Sequence, residues 1–270
     1  MPIYNIPIAK SEHSEAYRRY CEMTDIEQNF ILHLLEKYKP EKILEVGVAA
    51  GGTSCLLLKH KKPEAWLCSV DLNAQYYRDK TKTTGYLITT NCSEEERAKH
   101  KLYLGYDALE CLDEIGNGID FVVLDTMHIL PGEVLHFLAI FKYCKPDAVL
   151  VLHDISLNLI YAMRNQVTNE NKHTSCTNLL FSAIPSNTKY LPDIELPNIG
   201  AVILDKNTND NIDYVVRLLL ISWQYYPDRE IIRYIKFIEK NYSDICFKIM
   251  VEAAILQKKI VENKGKSEQF

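Results

Sequence analysis

One short run, from Lys42 to Ser54, constrains the fold of this chain more than any other part of its sequence. Its first half, Ile43 to Val48, is almost entirely apolar and predicts a short buried strand. Small residues then fill positions 49–52, and a helix is predicted to begin near Gly52-Thr53-Ser54. Glycine and alanine leave no bulky side chain between backbone and ligand, and the first turn of a helix presents free N–H groups. This strand–turn–helix unit predicts a binding site for an adenosine-type ligand.

Strands and helices alternate along the first 155 residues. Strands are predicted at 43–48, 66–72, 101–105, 119–125 and 148–154, and helices at 52–61, 107–115 and 132–143. An earlier amphipathic helix begins at a capping box formed by Thr24 and Glu27 and ends before Pro40. This alternation is typical of an α/β fold with a doubly wound, mostly parallel sheet and right-handed crossovers.

The sequence is best divided into one α/β domain with two extensions. Residues 1–23 are predicted to form an N-terminal arm, and residues 24–209 the main domain. Residues 210–270 are predicted to form a C-terminal helical appendage packed on the same domain, with helices at 211–224, 228–241 and 243–262. Residues 73–99 form a long polar connection, which is either a helix with a lid-like loop or a surface insertion.

Composition excludes several classes of protein. The net charge is −5, whereas a nucleic-acid-binding domain usually carries a basic patch. No apolar run reaches the roughly 18 residues of a membrane span. The N-terminus lacks the order of residues found in a signal peptide. The eight cysteines form no C-x-x-C pair and read as small core residues in a reducing compartment, so a cytoplasmic location is expected.

Polar residues lie at the ends of four of the predicted strands. They are Glu45, Asp71, Asp125, His128, His153 and Asp154. Ligands of an open parallel sheet lie beyond the carboxyl ends of its strands, near the point where the strand order reverses. These six residues are therefore the candidates for a functional site.

A dinucleotide is the first candidate ligand for the turn. Its fingerprint needs glycine at positions 47, 49 and 52, but position 49 is alanine. Glu45 would also place a negative charge near the pyrophosphate, whereas it suits a ligand with a cationic amino group. An NAD-type oxidoreductase remains an alternative. A second alternative is a non-catalytic adenosine-binding or assembly protein whose C-terminal helices form a dimer surface.

The run Glu45-x-Gly47-x-x-x-Gly51, followed by Thr53 and Ser54, resembles motif I of class I S-adenosylmethionine-dependent methyltransferases. Asp71 matches the acid that binds ribose in that class, and Gly105-Tyr-Asp-Ala108 resembles the segment beside adenine. The resemblance implies a seven-stranded sheet ending in strands 179–183 and 200–204, with the last one inserted antiparallel. The cofactor-binding residues that it implies are Glu45, Gly47, Val48, Ala49, Gly51, Thr53, Ser54, Asp71, Leu72, Tyr106, Asp107 and Asp125.

Two further segments, Asp125-Thr-Met-His128 and His153-Asp154, resemble the metal-dependent O-methyltransferases related to macrolide-sugar (macrocin-type) methyltransferases. Catechol-type enzymes carry asparagine after the later acid, where this chain has Ile155. The resemblance implies methyl transfer to a hydroxyl of a sugar or another small polyhydroxyl metabolite, made for surface glycans or natural products. No nucleic acid or membrane partner is expected. The protein is expected to form a homodimer.

The chemistry assigns a role to each of these strand-end residues. Asp125 and Asp154 offer the hard oxygen ligands that Mg²⁺ prefers. His128 titrates in the range that a general base needs and is predicted to accept the hydroxyl proton. His153 is either a partner of these residues or an alternative base.

Overall fold

A computed structural model describes residues 2–8, 16–167 and 176–267, with side chains as far as residue 260. Residues 1 and 9–15 of the predicted arm, and 268–270 of the predicted appendage, lie outside the described residues. The strands are β1 (Ile3–Ile6), β2 (Lys42–Val46), β3 (Trp66–Asp71), β4 (His100–Leu104), β5 (Ile119–Leu124), β6 (Cys144–His153), β7 (Lys189–Pro192) and β8 (Ile199–Leu204).

Helices separate most of these strands. They are α1 (Asp25–Tyr38), α2 (Gly52–His60), α3 (Tyr86–Asn91), α4 (Glu94–Arg97), α5 (Ala108–Ile115), α6 (Gly132–Phe141), α7 (Leu157–Met163), α8 (Cys176–Ala183), α9 (Lys206–Asp210), α10 (Asp213–Val216), α11 (Ile231–Asn241) and α12 (Asp244–Ser267). Single 3-10 turns lie at Ala16–Tyr20 and Arg217–Leu220. The capping box predicted at Thr24 and Glu27 is present at the start of α1.

The strands form one mixed sheet in the order β1-β7-β8-β6-β5-β2-β3-β4. β8 runs antiparallel to both of its neighbours, β6 and β7, and the other pairs are parallel. The chain moves from β2 outward to β3 and β4, and then returns to β5 on the other side of β2. The crevice outside the carboxyl ends of β2 and β5 is therefore where a ligand is expected.

The doubly wound, mostly parallel sheet predicted from the sequence is confirmed, but two details were wrong. The sheet has eight strands rather than seven, because Ile3–Ile6 adds an edge strand beside β7. The segment predicted as strand 179–183 is helical and belongs to α8, and the strand of that region is β7. Thr177, Leu180 and Phe181 are buried at helical spacing, a pattern that a short apolar run does not distinguish from a strand.

Helices cover both faces of the sheet, so the apolar strands β5 and β6 are buried on both sides. One core cluster joins the sheet to α1, α2 and α3. The other joins it to α5, α6 and α8, and also to the C-terminal helices α11 and α12. Seven of the eight cysteines are buried, Cys144 is half-buried, and all are free thiols.

The C-terminal region differs in detail from its prediction. The helix predicted at 211–224 is replaced by the short helix α10 and a 3-10 turn, whereas α11 and α12 lie close to the predicted 228–241 and 243–262. Within the described ranges, none of the helices combines the length and the apolar character that crossing a membrane requires.

Candidate active site at the carboxyl ends of the strands

The turn after β2 is built around glycines at positions that exclude other residues. Gly47 has a φ of 95°, and a Cβ added to it would lie 1.8 Å from the carbonyl oxygen of Asp125. Gly51 has a φ of 93° and precedes the first residue of α2. The turn therefore lies directly against the end of β5, and no side chain separates the two segments.

Asp71, at the end of β3, holds this turn in place. Its Oδ2 accepts hydrogen bonds from the backbone N–H groups of Val48 and Ala49, at 2.9 and 3.1 Å. Its Oδ1 accepts from the N–H of Asn73 at 2.8 Å. Each carboxylate oxygen has more than one lone pair, so Asp71 retains acceptor capacity for a ligand hydroxyl.

Glu45 lies in the interior at the end of β2 and is completely buried. Its Oε2 accepts hydrogen bonds from the hydroxyls of Ser54 and Ser69, both at 2.6 Å, and its Oε1 has no hydrogen-bond partner. Burial raises the pKa of Glu45 to about 7, which the two serine hydroxyls partly offset and the nearby carboxylates of Asp125 and Asp71 reinforce. Ser54, predicted to bind the cofactor, thus uses its hydroxyl to donate a hydrogen bond to Glu45. The neighbouring Thr53 is buried in the first turn of α2.

The long connection after β3 closes onto the glycine turn. The N–H of Gly85 donates to the carbonyl of Ala49 at 2.9 Å, and the N–H of Leu87 donates to that of Ala50 at 3.1 Å. This segment carries α3 and α4 and a single β-bridge between Gln75 and Thr83. These two backbone hydrogen bonds attach residues 73–99 to the glycine turn on the side where α2 begins.

Three large apolar side chains are exposed just beyond the carboxyl ends of β3, β4 and β5. Leu72 is 63% exposed, Tyr106 is 51% exposed and Met127 is 72% exposed. Exposed apolar groups gathered at one edge of a sheet are suited to contact the flat face of a ligand ring. Leu72 and Tyr106 are among the residues predicted to bind the cofactor, and Met127 is not.

Asp107, predicted to bind the cofactor, directs its carboxylate elsewhere. Its Oδ1 accepts from the N–H of Leu109 and from the hydroxyl of Tyr234, at 2.9 and 2.6 Å. Its Oδ2 lies 3.0 Å from Nε2 of His136. Asp107 thus caps α5 and ties it to α6 and to the C-terminal helix α11.

Four titratable side chains come together at the ends of β5 and β6. They are Asp125, His128, His153 and Asp154, and they offer ligand atoms that all lie within 4.8 Å of one another. We refer to these four residues as the strand-end cluster. The structure therefore brings together the residues that the sequence singled out as catalytic or metal-binding.

His128 joins the two aspartates of this cluster. Its Nε2 lies 3.1 Å from Oδ2 of Asp154 and 3.5 Å from Oδ1 of Asp125. Both His128 and Asp154 adopt positive φ values, 57° and 60°, which are uncommon for residues other than glycine. The Asp154 carboxylate is held by Nδ2 of Asn198, which donates to its Oδ1 at 2.5 Å.

His153 lies behind the cluster and reaches α1. Its Nδ1 is 3.0 Å from Oδ1 of Asp125, and its Nε2 is 3.6 Å from Oε1 of Glu27. Glu27 is buried and also accepts from the backbone N–H of Thr24 through Oε2. The glutamate of the capping box thus borders the site, a role that its place in the sequence hides.

In the strand-end cluster, the imidazoles and the carboxylates shift each other's pKa values. Burial alone would lower the pKa of His128, but the carboxylates of Glu133, Asp125 and Asp154 raise it well above its ordinary value overall. His153 has a raised pKa for the same reason, chiefly through Asp125. Burial raises the pKa of Asp125, but the two imidazoles outweigh it and the net direction is downward. The converging carboxylates therefore favour the protonated, positively charged forms of both imidazoles.

The donor set of the cluster fits a divalent cation. Aspartate oxygens suit Mg²⁺ and Mn²⁺, and imidazole nitrogens widen the choice to other transition metals. Nε2 of His153 is buried and has no hydrogen-bond partner within the described part of the chain. A cation bound between Asp125, His153 and Asp154 would satisfy that nitrogen and replace the positive charge of the imidazoles.

Comparison with known proteins identifies the domain. Residues 44–155 match the model of a methyltransferase domain family. A protein from Staphylococcus aureus designated a caffeoyl-CoA O-methyltransferase has a TM-score of 0.54 at 14% identity, over 70% of this chain and 93% of that chain. A protein from Klebsiella pneumoniae designated an O-methyltransferase has a TM-score of 0.52 at 13% identity, over 69% and 86%. At such identities the likeness shows the fold alone, and a search of curated protein sequences finds no match.

The matched segment begins in β2 and ends directly after Asp154. It thus contains the glycine turn, Asp71 and the whole strand-end cluster. The match also decides against the NAD-type oxidoreductase that the sequence left as an alternative. Residues 44–155 therefore form a methyltransferase domain, as the sequence predicts.

Proposed function

We propose that this protein transfers the methyl group of S-adenosylmethionine to a hydroxyl oxygen of a sugar or another small polyhydroxyl metabolite, with a divalent cation at the strand-end cluster. One observation carries the proposal. The cluster that would hold an oxygen acceptor is continuous with the turn that would hold the methyl donor. Asp125 donates its N–H to the carbonyl of Val46, and its own carbonyl lies against Gly47.

The cofactor is proposed to lie across the ends of β2, β3 and β4. The open backbone of the glycine turn admits it, and Asp71 offers its remaining lone pairs to the ribose hydroxyls. The exposed side chains of Leu72, Tyr106 and Met127 would pack against the adenine ring. The unpartnered oxygen of Glu45 supports a nearby positive charge, such as the amino group of the cofactor.

The cation is proposed to bind Asp125, Asp154 and His153. When bound, such an ion supplies Lewis acidity that lowers the pKa of an acceptor hydroxyl and fixes its direction. His128 presents Nε2 toward both aspartates and is the group placed to accept the hydroxyl proton. Much of the rate of methyl transfer comes from holding donor and acceptor in line, which the rigid strand ends provide.

The choice of a sugar or polyhydroxyl acceptor rests on the resemblance of the cluster to that of macrolide-sugar methyltransferases. Neighbouring hydroxyls of a polyol would offer two oxygens to one cation, which supports this choice on chemical grounds. A cytoplasmic location and a homodimer stay predictions. The exposed isoleucines on α11 and α12, at positions 232, 245 and 255, support the homodimer.

A labelled-methyl transfer screen across nucleotide sugars, small glycans and simple polyols tests the proposal. We expect transfer to a hydroxyl, loss of that activity in EDTA, and recovery when Mg²⁺ or Mn²⁺ is added in excess. Full activity after chelation would remove the cation from the mechanism. Transfer only to nitrogen or carbon acceptors would contradict the proposed acceptor class.

Replacing Asp71 with alanine is expected to weaken binding of S-adenosylhomocysteine by about 1–3 kcal/mol, the scale of a lost hydrogen bond to a charged group. Isothermal titration calorimetry measures this directly. Because Asp71 also holds the N–H groups of Val48 and Ala49, the Asp71→Asn variant is the matched comparison. Asparagine keeps one acceptor oxygen, so a smaller loss is expected, and unchanged affinity in both variants would place the ribose elsewhere.

A further inference from the structure

A fully buried carboxylate lies behind His128, on the side away from the strand-end cluster. Glu133 is the second residue of α6, and its side chain has no exposed surface. Its Oε1 accepts a hydrogen bond from the hydroxyl of Thr177 at 3.0 Å. Its Oε2 lies 3.4 Å from Nδ1 of His128 and has no formal hydrogen bond.

Burying a carboxylate is costly unless a partner compensates for its charge. Within the described ranges, Glu133 forms no ion pair with a lysine or an arginine, and the cationic partner it has is the imidazole of His128. Thr177 is also completely buried, and its hydroxyl oxygen lies 3.0 Å from Nδ1 of His128. These three side chains thus form a polar cluster that is surrounded by the apolar residues through which α6 and α8 pack.

The directions of these hydrogen bonds follow from what each group can donate. A carboxylate accepts hydrogen bonds and donates none, so the single hydroxyl hydrogen of Thr177 is used toward Glu133. The Thr177 oxygen then has only lone pairs left for His128, and Nδ1 of His128 must be the donor. In the imidazolium that the surrounding carboxylates favour, Nε2 also donates, to Asp154. When a bound cation takes over these carboxylates, Nε2 loses its proton and Nδ1 keeps its own, so neutral His128 has its lone pair on Nε2.

We propose that Glu133 and Thr177 are positioning residues for methyl transfer, which hold His128 in the Nδ1-protonated form with Nε2 aimed at the acceptor. This inference rests on the proposed role of His128 as the base. When Nε2 takes a proton, the developing imidazolium lies between carboxylates on both of its sides, and Glu133 stabilises it from behind. A carboxylate that orients a histidine in this way acts without touching the substrate.

The chain offers a matched pair of variants at one buried position. Thr177→Val removes the hydroxyl and keeps the shape of the side chain, whereas Thr177→Ser keeps the hydroxyl. We expect Thr177→Val and Glu133→Gln to lower kcat by about tenfold to a hundredfold, the usual cost of losing such an orienting partner. KM for S-adenosylmethionine and for the acceptor should change less than about threefold, because ground-state binding is untouched. Thr177→Ser should restore most of the rate lost in Thr177→Val.

A second measurement reads the histidine directly and needs no acceptor. Long-range proton–nitrogen correlation spectra of the protein with ¹⁵N-labelled histidine, recorded with excess Mg²⁺ so that the cation replaces the imidazolium charge, should show neutral His128 protonated on Nδ1. In Thr177→Val that signature should shift toward a mixture with the Nε2-protonated form. An unchanged spectrum in both Thr177→Val and Glu133→Gln would overturn the proposal.

A double-mutant cycle with His128→Gln separates this inference from the proposed function. If Glu133 acts through His128, Glu133→Gln should cost nothing further in the His128→Gln background. A full additional loss there, or a normal kcat in Glu133→Gln alone, overturns the positioning role while leaving His128 as the base. A normal rate in His128→Gln itself overturns the base role, and the present inference with it.

Discussion

Asp154→Asn is expected to lower methyl transfer at least about a hundredfold, because it removes a proposed ligand of the cation rather than one of the partners that orient a ligand. The Asp154 carboxylate is placed between Nδ2 of Asn198 and Nε2 of His128, and it closes the strand-end cluster on the side of β6. An amide keeps one acceptor oxygen but loses the negative charge that attracts a cation. Calorimetric titration with Mn²⁺ should show a matching loss of affinity in the same variant.

Asp147, at the other end of β6, provides the control. It is exposed and has a φ of 63°, close to the 60° of Asp154. Asparagine tolerates this left-handed conformation, so neither substitution strains the backbone. Asp147→Asn should bind Mn²⁺ and transfer methyl groups like the wild type. If Asp154→Asn binds Mn²⁺ as tightly as the wild type does, the strand-end cluster is not the cation site.

The fold and the strand-end cluster could largely be predicted from the sequence, because each depends on a short, continuous run of residues. An apolar strand that ends in a charged residue places that residue at one edge of a parallel sheet. Asp125 and Asp154 therefore had to approach each other once β5 and β6 were recognised as neighbours. The glycine turn was equally local, since a side chain at Gly47 would collide with the end of β5.

Residues that act across long sequence distances gave no such signal. Glu27 fits a capping box, and this sufficient local explanation hid its approach to His153. Thr177 contacts His128 from the first turn of α8, just before the predicted strand 179–183, so no prediction covered it. Glu133 follows a turn and reads as an acid at a helix start, which the helix dipole favours by itself. Only the packing of α6, α8 and α1 around the sheet shows what these side chains touch.

Edge strands are similarly hard to read, because one side of the strand faces solvent. Ile3–Ile6 is mostly exposed, so its side chains give no clear apolar alternation. What defines β1 is backbone pairing with β7, more than 180 residues later in the chain. The sequence consequently predicts an arm where the structure has an eighth strand.

Glu45→Gln is expected to make the cofactor-free protein more stable at pH 8, by about 3 kcal/mol. The buried carboxyl has a pKa raised from 4.5 to about 7, so the native state resists its ionisation. Below pH 4.5 the carboxyl is protonated in both folded and unfolded chains and costs nothing. Between pH 4.5 and 7 the unfolded chain releases the proton first, and stability falls by about 1.4 kcal/mol per pH unit. Above pH 7 the full penalty is present.

Glutamine avoids this penalty because it does not ionise, and its amide oxygen still accepts from Ser54 and Ser69. Urea unfolding in EDTA at pH 5 and pH 8 measures the effect. The variant should exceed the wild type clearly at pH 8 and only slightly at pH 5. Glu36→Gln, on the exposed face of α1, removes the same charge and should change stability by less than about 0.5 kcal/mol at either pH. Equal pH profiles for Glu45→Gln and wild type would mean that Glu45 ionises normally.

The same substitution should impair cofactor binding, because the carboxylate that destabilises the free fold is proposed to face the cofactor's amino group. Affinity for S-adenosylhomocysteine should fall about tenfold at pH 8, the scale of a lost charge-assisted interaction. Binding of 5′-methylthioadenosine, which lacks the amino acid part, should not change. In the wild type, ion pairing requires Glu45 to lose its proton, so affinity for S-adenosylhomocysteine should rise up to pH 7 and level off above it. If Glu45→Gln binds both ligands like the wild type, the Glu45 carboxylate does not contact the cofactor's amino group, and its burial lowers stability without raising affinity for the cofactor.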